Sequence, residues 1–211
     1  MPSLLAKIAV FCIFVKNYPV ATAKLSKQEQ DKLTKLILEV ESKDDARILS
    51  ALKSLSTHGH AAVIEPLIKL WNQGVSDEVE KQIVVLLHGL KDSSTIEPLM
   101  EAFRNPSNEA LKRKLVVSFW NSKLDFSPYL ADFVMFAIDG DFLDALESLT
   151  LIENLETIPT ESTILESQLL LSEYFNQERQ KDEQKDNLLA EIAVVVEGYA
   201  RNEGAEDLYL D

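Results

Sequence analysis

Apolar residues recur along this chain at helical spacing, in runs of two lengths that alternate. The longer runs come first. From Ser26 to Val40 a stripe of Leu33, Leu36, Ile37 and Val40 predicts one helix, with Ser26 and Glu29 spaced as a capping box. Asp44 to Thr57 places Ile48, Leu49, Leu52 and Leu55 on one face behind Asp44 as N-cap. Asp77 to Leu90 repeats the pattern with Val79, Ile83, Leu86, Leu87 and Leu90, behind an acidic first turn that suits a helix N-terminus. Asn108 to Asn121 carries Leu111, Leu115, Val116, Phe119 and Trp120. Asp141 to Leu155 carries Phe142, Leu143, Leu146, Leu149, Ile152 and Leu155.

Each shorter run follows a proline. Ile64-Glu65-Pro66-Leu67-Ile68 returns as Ile96-Glu97-Pro98-Leu99-Met100, then more loosely as Phe126-Ser127-Pro128-Tyr129-Leu130, and Pro159 follows. Pro66, Pro98, Pro128 and Pro159 are 32, 30 and 31 residues apart. Proline has its φ preset near the helical value and lacks an N–H, so it suits the opening of a helix and breaks its interior. A near-constant period of this length is the mark of a repeated supersecondary unit. The expectation is four helix–turn–helix pairs, each second helix opened by its proline at an equivalent place. Gly59, Gly74, Asn105-Pro106 and Gly140 fall at the joints. The fourth pair departs from the pattern, because Thr160 and Glu161 stand where apolar residues follow Pro66 and Pro98; its second helix is expected to start later or bend away. Residues 176 to 187 contain no apolar side chain and read as a loop with solvated helix ends. Asn187 then caps a last helix with Leu188, Leu189, Ile192, Val195, Val196 and Tyr199, and a short acidic tail closes the chain. Strand alternation and hairpin signals are missing, so the fold class expected is all-α.

With these prolines and stripes the chain resembles the HEAT-repeat proteins, in the short-unit bacterial form with about 30 residues per unit, also found in the bilin lyases. The stretch Phe119-Trp120-Asn121-Ser122-Lys123-Leu124-Asp125-Phe126-Ser127, with Ala145 to Asn154 beyond it, is similar to a bacterial family of such proteins. The resemblance covers roughly residues 44 to 175. It implies an α-solenoid that binds other proteins, with no chemistry carried over. In such solenoids the second helices line the concave side. The side chains between their core positions then form a ladder facing a partner: Lys69, Asn72, Gln73, Glu101, Arg104, Asn105, Asp132 and Met135. The division expected is an apolar N-terminal segment at 1–25, the solenoid at 26–201 and the acidic tail at 202–211.

Charge changes the picture only in the last third. Residues 139 to 211 hold 19 Asp and Glu against 4 Lys and Arg, a net of −15, whereas residues 1 to 138 hold 16 against 17, a net of +1. Such a field repels nucleic acid and anionic lipid and attracts basic partners. In the N-terminal segment, Lys7 precedes the apolar run Ile8 to Val15, and Ala21-Thr22-Ala23 has the form of a cleavage site. A cytoplasmic protein with a leading helix, an exported one with a cleaved leader, and an ill-defined start of the chain remain open; the run is too short to span a bilayer.

Candidate chemistry is sparse. His58 and His60 lie in a turn and His88 near a helix end, with no carboxylate or cysteine at metal-ligand spacing. Cys12 has no positioned histidine or aspartate partner. Trp71 aligns with Phe103 and Phe133, and Trp120 with Leu90 and Leu151, so both belong to apolar columns rather than to a ligand site. Phosphate loops, nucleophile elbows and metalloprotease motifs do not occur. The expected function is therefore a non-catalytic protein-binding scaffold without cofactor or metal, its partner and oligomeric state undetermined. The alternatives are a bilin-lyase-like chromophore attachment protein and an acidic regulatory mimic that occupies a basic site.

Overall fold

In a computed structural model the described residues are 26–55, 61–178 and 182–206, with side chains described as far as Arg201. Among them stand ten α-helices: α1 (Lys27–Val40), α2 (Asp45–Leu55), α3 (Ile64–Asn72), α4 (Asp77–His88), α5 (Ile96–Arg104), α6 (Lys112–Asn121), α7 (Leu130–Asp139), α8 (Phe142–Glu153), α9 (Glu161–Asn176) and α10 (Glu183–Glu206). Short 3₁₀ turns precede α3, α5, α6 and α7. The described residues contain no strand.

The packing alternates. Helix α2 packs on α4, α4 on α6, α6 on α8 and α8 on α10; α1 touches α3, α3 touches α5, and α7 packs on α9. The even-numbered helices thus form one row and the odd-numbered helices a second. Consecutive helices join the two, most extensively α1 with α2, α7 with α8 and α9 with α10. Side-chain bonds between neighbouring pairs repeat the sequence period. Ser76 donates to Asp45 (2.6 Å), Lys114 to Glu80 (2.5 Å), Tyr129 to Glu97 (2.8 Å) and Thr157 to Asp125 (2.9 Å), at separations of 31, 34, 32 and 32 residues.

Local signals explain most of the helix starts. Ser26 accepts from the Glu29 amide at 3.3 Å while the Glu29 carboxylate accepts from the Ser26 amide at 2.8 Å, a closed capping box. Asp141 and Asp144 form a second box at the head of α8. Gly74 adopts φ +81° just after α3, the left-handed position that a Cβ would strain. Helix α6 opens on Lys112, Arg113 and Lys114, against the helix dipole. Carboxylates offset this: Lys112 meets Glu109 at 2.7 Å, Arg113 forks onto Asp141 and Asp144 at 2.6 and 2.7 Å, and Lys114 reaches Glu80. These pairs tie α4, α6 and α8 together along the even row.

The prolines hold their place in the packing but not in the helices. Five residues after each lie Trp71, Phe103, Phe133 and Ile164, all buried. Yet Pro66 and Pro98 are the third residues of α3 and α5, Pro128 sits in the 3₁₀ turn Ser127–Tyr129 ahead of α7, and Pro159 precedes the Thr160 cap of α9. The expectation of equivalent helix starts is corrected to that extent. All four places lack an intrahelical acceptor for an N–H, so proline is tolerated at each, and the onset of α geometry slides by a turn around a constant buried column.

Three further expectations change. Helix α9 starts directly at Glu161, because Thr160 and Glu161 are its cap and first turn, and needs no later start. Helix α10 begins at Glu183, ahead of the expected Asn187 cap and within the stretch expected to be a loop with solvated helix ends, and continues through Glu206 into the expected tail. Its polar first turn is anchored: Lys185 donates to the carbonyls of Ile138 and Gly140 at 2.6 and 2.7 Å, and Tyr174 donates to Asp186 at 2.8 Å. Helix α8 is rotated. It buries Ala145, Ser148, Leu149, Leu151 and Ile152 and leaves Phe142, Leu143 and Leu146 exposed. Small Ala145 and Ser148 let α8 approach its neighbours in both rows, and the larger side chains do not fit there.

The core is continuous from Val40 to Val196. Its centre is a group of phenylalanines in which Phe119 stacks on Phe126 with ring centroids 4.3 Å apart, and Phe103 meets Phe136 edge-on at 5.4 Å. Each such ring contributes roughly 1.5–3 kcal/mol by leaving water. Trp71 is buried, whereas Trp120 is half-buried with its indole N–H donating to Glu147 at 3.3 Å. The apolar segment 1–25, with Cys12, and the turn holding His58 and His60 lie outside the described residues. No helix among the described residues is long and apolar enough to cross a membrane.

Candidate partner-binding face

The proposed ladder residues all lie on odd-numbered helices or just after them, but they divide into two groups. Lys69, Asn72 and Gln73 from α3, with Glu101 and Asn105 from α5, line one open groove of about 690 Å³. Its floor comes from Ile68, Ala102 and Asn108, and its edge from Glu65. Spacing explains the gathering. Positions three or four apart share a helix face, and two short helices packed side by side bring their faces together.

Not all five are available to a partner. The Asn72 amide donates to the Ser107 carbonyl (3.0 Å) and to the side-chain oxygen of Asn108 (3.1 Å). Asn108 is buried and donates in turn to the Ala102 carbonyl at 2.9 Å. Asn105 accepts from the Ser107 amide at 2.9 Å and so caps the following 3₁₀ turn. These asparagines position the groove. Lys69 lies 3.8 Å from Glu41 with its side chain largely in water. Gln73, Glu65 and Glu101 are exposed. The groove therefore presents one cation, two carboxylates and an amide over a shallow apolar floor.

Arg104, Asp132 and Met135 lie outside the groove. Arg104 forks onto Asp132 with bonds of 2.7 and 2.8 Å, joining α5 to α7. Its guanidinium lies 5.3 Å from the Tyr129 ring centre, and Tyr129 donates to Glu97. Bonding to Asp132 holds the guanidinium above its ordinary value, and burial first, then the bond to Glu97, pushes the Tyr129 phenol up. This cluster is an internal tie between pairs, so Arg104 and Asp132 bond each other rather than a visitor. Met135 is one turn further along α7 and exposed.

Two contributors were not legible beforehand. Asn108, expected to open a helix, is instead the polar joint of the groove, at φ −105° and ψ 20° in the turn before α6. Glu166 on α9 belongs to the Arg104 cluster: burial raises its carboxyl above the ordinary value, neighbouring Asp132 adds to the rise, and Arg104 opposes it. The signal that the sequence offers is an acid set within the apolar stretch from Ile164 to Leu171. On the other row, His88 is held below its ordinary value by burial, and its Nε2 has no partner among the described residues. No group of three His, Cys, Asp or Glu among the described residues could hold a metal ion. Comparisons with family models, with curated proteins and with solved structures return no match for this chain.

Proposed function

We propose that this chain is a non-catalytic scaffold, an α-solenoid of short HEAT-like helix pairs that binds another protein along its row of odd-numbered helices. The observation that carries the reading is the groove between α3 and α5, where side chains from two successive pairs open on one side. Two rows of helices, with side-chain bonds between neighbouring pairs 31 and 32 residues apart, and a buried column five residues after Pro66, Pro98, Pro128 and Pro159 support the repeat architecture on which it depends. The groove is open, and its outward groups are mixed in charge. That suits a polypeptide contacted at several points more than a small molecule enclosed on all sides.

Site-specific photo-crosslinking tests it. A crosslinking side chain at Gln73 or Glu101 should capture a partner polypeptide from the source cell extract, and one at Val85, exposed on the even row, should not. Capture confined to Val85 would overturn the assignment of this face.

A further inference from the structure

The odd row does not end as it begins. Helices α7 and α9 pack together, and their C-terminal ends lie side by side. Lys185 bonds the Ile138 and Gly140 carbonyls at the end of α7 and lies 5.7 Å over the ring of Tyr174, near the end of α9. The two helices are therefore parallel, and the shared Lys185 contact sets their register, with the turn of α7 that holds Asp132 beside the turn of α9 that holds Glu166. Three residues on from each carboxylate stand Met135 and Leu169, 43% and 60% exposed, and Leu165 is 57% exposed. Leu165 and Leu169, four apart, form a ridge along α9 of the kind that another helix takes into its groove.

The two helices themselves carry charge of one sign. Helices α7 and α9 contain Asp132, Asp139, Glu161, Glu166 and Glu173 and no lysine, arginine or histidine. Arg104 answers Asp132, but Glu166 has no ion partner among the described residues. We propose that the α7–α9 surface docks a basic amphipathic helix, with its apolar side chains on Met135, Leu165 and Leu169 and a lysine or arginine at Glu166. The inference deepens the scaffold reading by naming the chemistry of the partner. A second copy of this chain fits poorly, because a two-fold contact would set these carboxylates against themselves. Nucleic acid and anionic membranes are repelled by the same field.

The test uses the full chain and a synthetic helical peptide with leucines at i, i+4 and i+7 and lysines elsewhere, followed by fluorescence anisotropy. A peptide of the same composition in scrambled order is the control. The ordered peptide should bind, and Glu166→Lys or the pair Leu165→Ser and Leu169→Ser should weaken it by about tenfold or more. Glu78→Lys, an equal charge change on α4, should alter affinity by less than about twofold, because a surface charge beyond the Debye length is largely screened. Equal binding of the scrambled peptide, or an equal loss from Glu78→Lys, would reduce the effect to bulk charge and overturn the proposal. Sedimentation showing self-association abolished by the leucine pair would overturn it in favour of a second copy. If the peptide fails while Gln73 and Glu101 still crosslink, this surface alone is lost; if both fail, so is the polypeptide-binding reading.

Discussion

The α3–α5 and α7–α9 stretches of the odd row are both formed by helices packed side by side, yet they are finished differently. At α3–α5 the joint is polar: Asn72 donates to Asn108 and to the Ser107 carbonyl, Asn108 donates to the Ala102 carbonyl, Asn105 accepts from the Ser107 amide, and the outward groups have both signs. At α7–α9 the interior is aromatic, with Phe133 fully buried among Phe103, Phe119 and Phe126, and the outward groups are leucines and carboxylates. The comparison teaches that a shared period specifies where helices stack, while the few residues between core positions decide what each stretch of the face can hold.

The comparison can be broken most severely from inside. Phe133→Ala should lower unfolding stability by about 3–5 kcal/mol, since the site touches three other rings and cannot collapse without moving two rows of helices. Urea denaturation reads this directly. A loss under about 1 kcal/mol would mean that the aromatic cluster is not the centre of the fold.

A smaller effect is expected at the polar joint. Asn108→Ala removes the bonds to Ala102 and Asn72 and should cost about 1–3 kcal/mol, with faster amide exchange in the turn before α6. If the loss equalled that of Phe133→Ala, the two ends would not differ in the way described.

The mildest test concerns Glu166. Its folded carboxyl titrates above the ordinary 4.5, so its contribution favours the fold below that value and is lost as pH rises through the folded value. Glu166→Gln should therefore raise Tm slightly near neutral pH, and the gain should vanish below about pH 4, where the native carboxyl is protonated in both states. A gain that persists in acid would point to packing rather than charge.

Legibility followed the range of the interactions. Ser26 with Glu29, the acid start of α4 and the stripes of α2 and α4 involve residues within a turn of each other, and sequence spacing displays them. The column of Trp71, Phe103 and Phe133 is equally visible, because each packing layer repeats it, and Ile164 extends it in the structure. Contacts across units were not visible. Helix α8 chooses its inward face by the smallness of Ala145 and Ser148, which matters only once α6, α7 and α10 surround it. The start of α10 depends on Lys185 finding two carbonyls more than 40 residues away. On the candidate face, helical spacing placed Lys69, Gln73 and Glu101 outward. It could not reveal that Arg104 and Asp132 bond each other, or that Glu166 lies beside them.

The central claim is that partners meet the odd row. The most direct measurement is a crosslinking map along both rows, with the reactive side chain at Gln73, Glu101, Met135 and Leu169 on the odd helices and at Val85 and Val194 on the even ones. The account predicts capture from odd-row positions and none from Val85 or Val194. Capture of equal yield from both rows would contradict it.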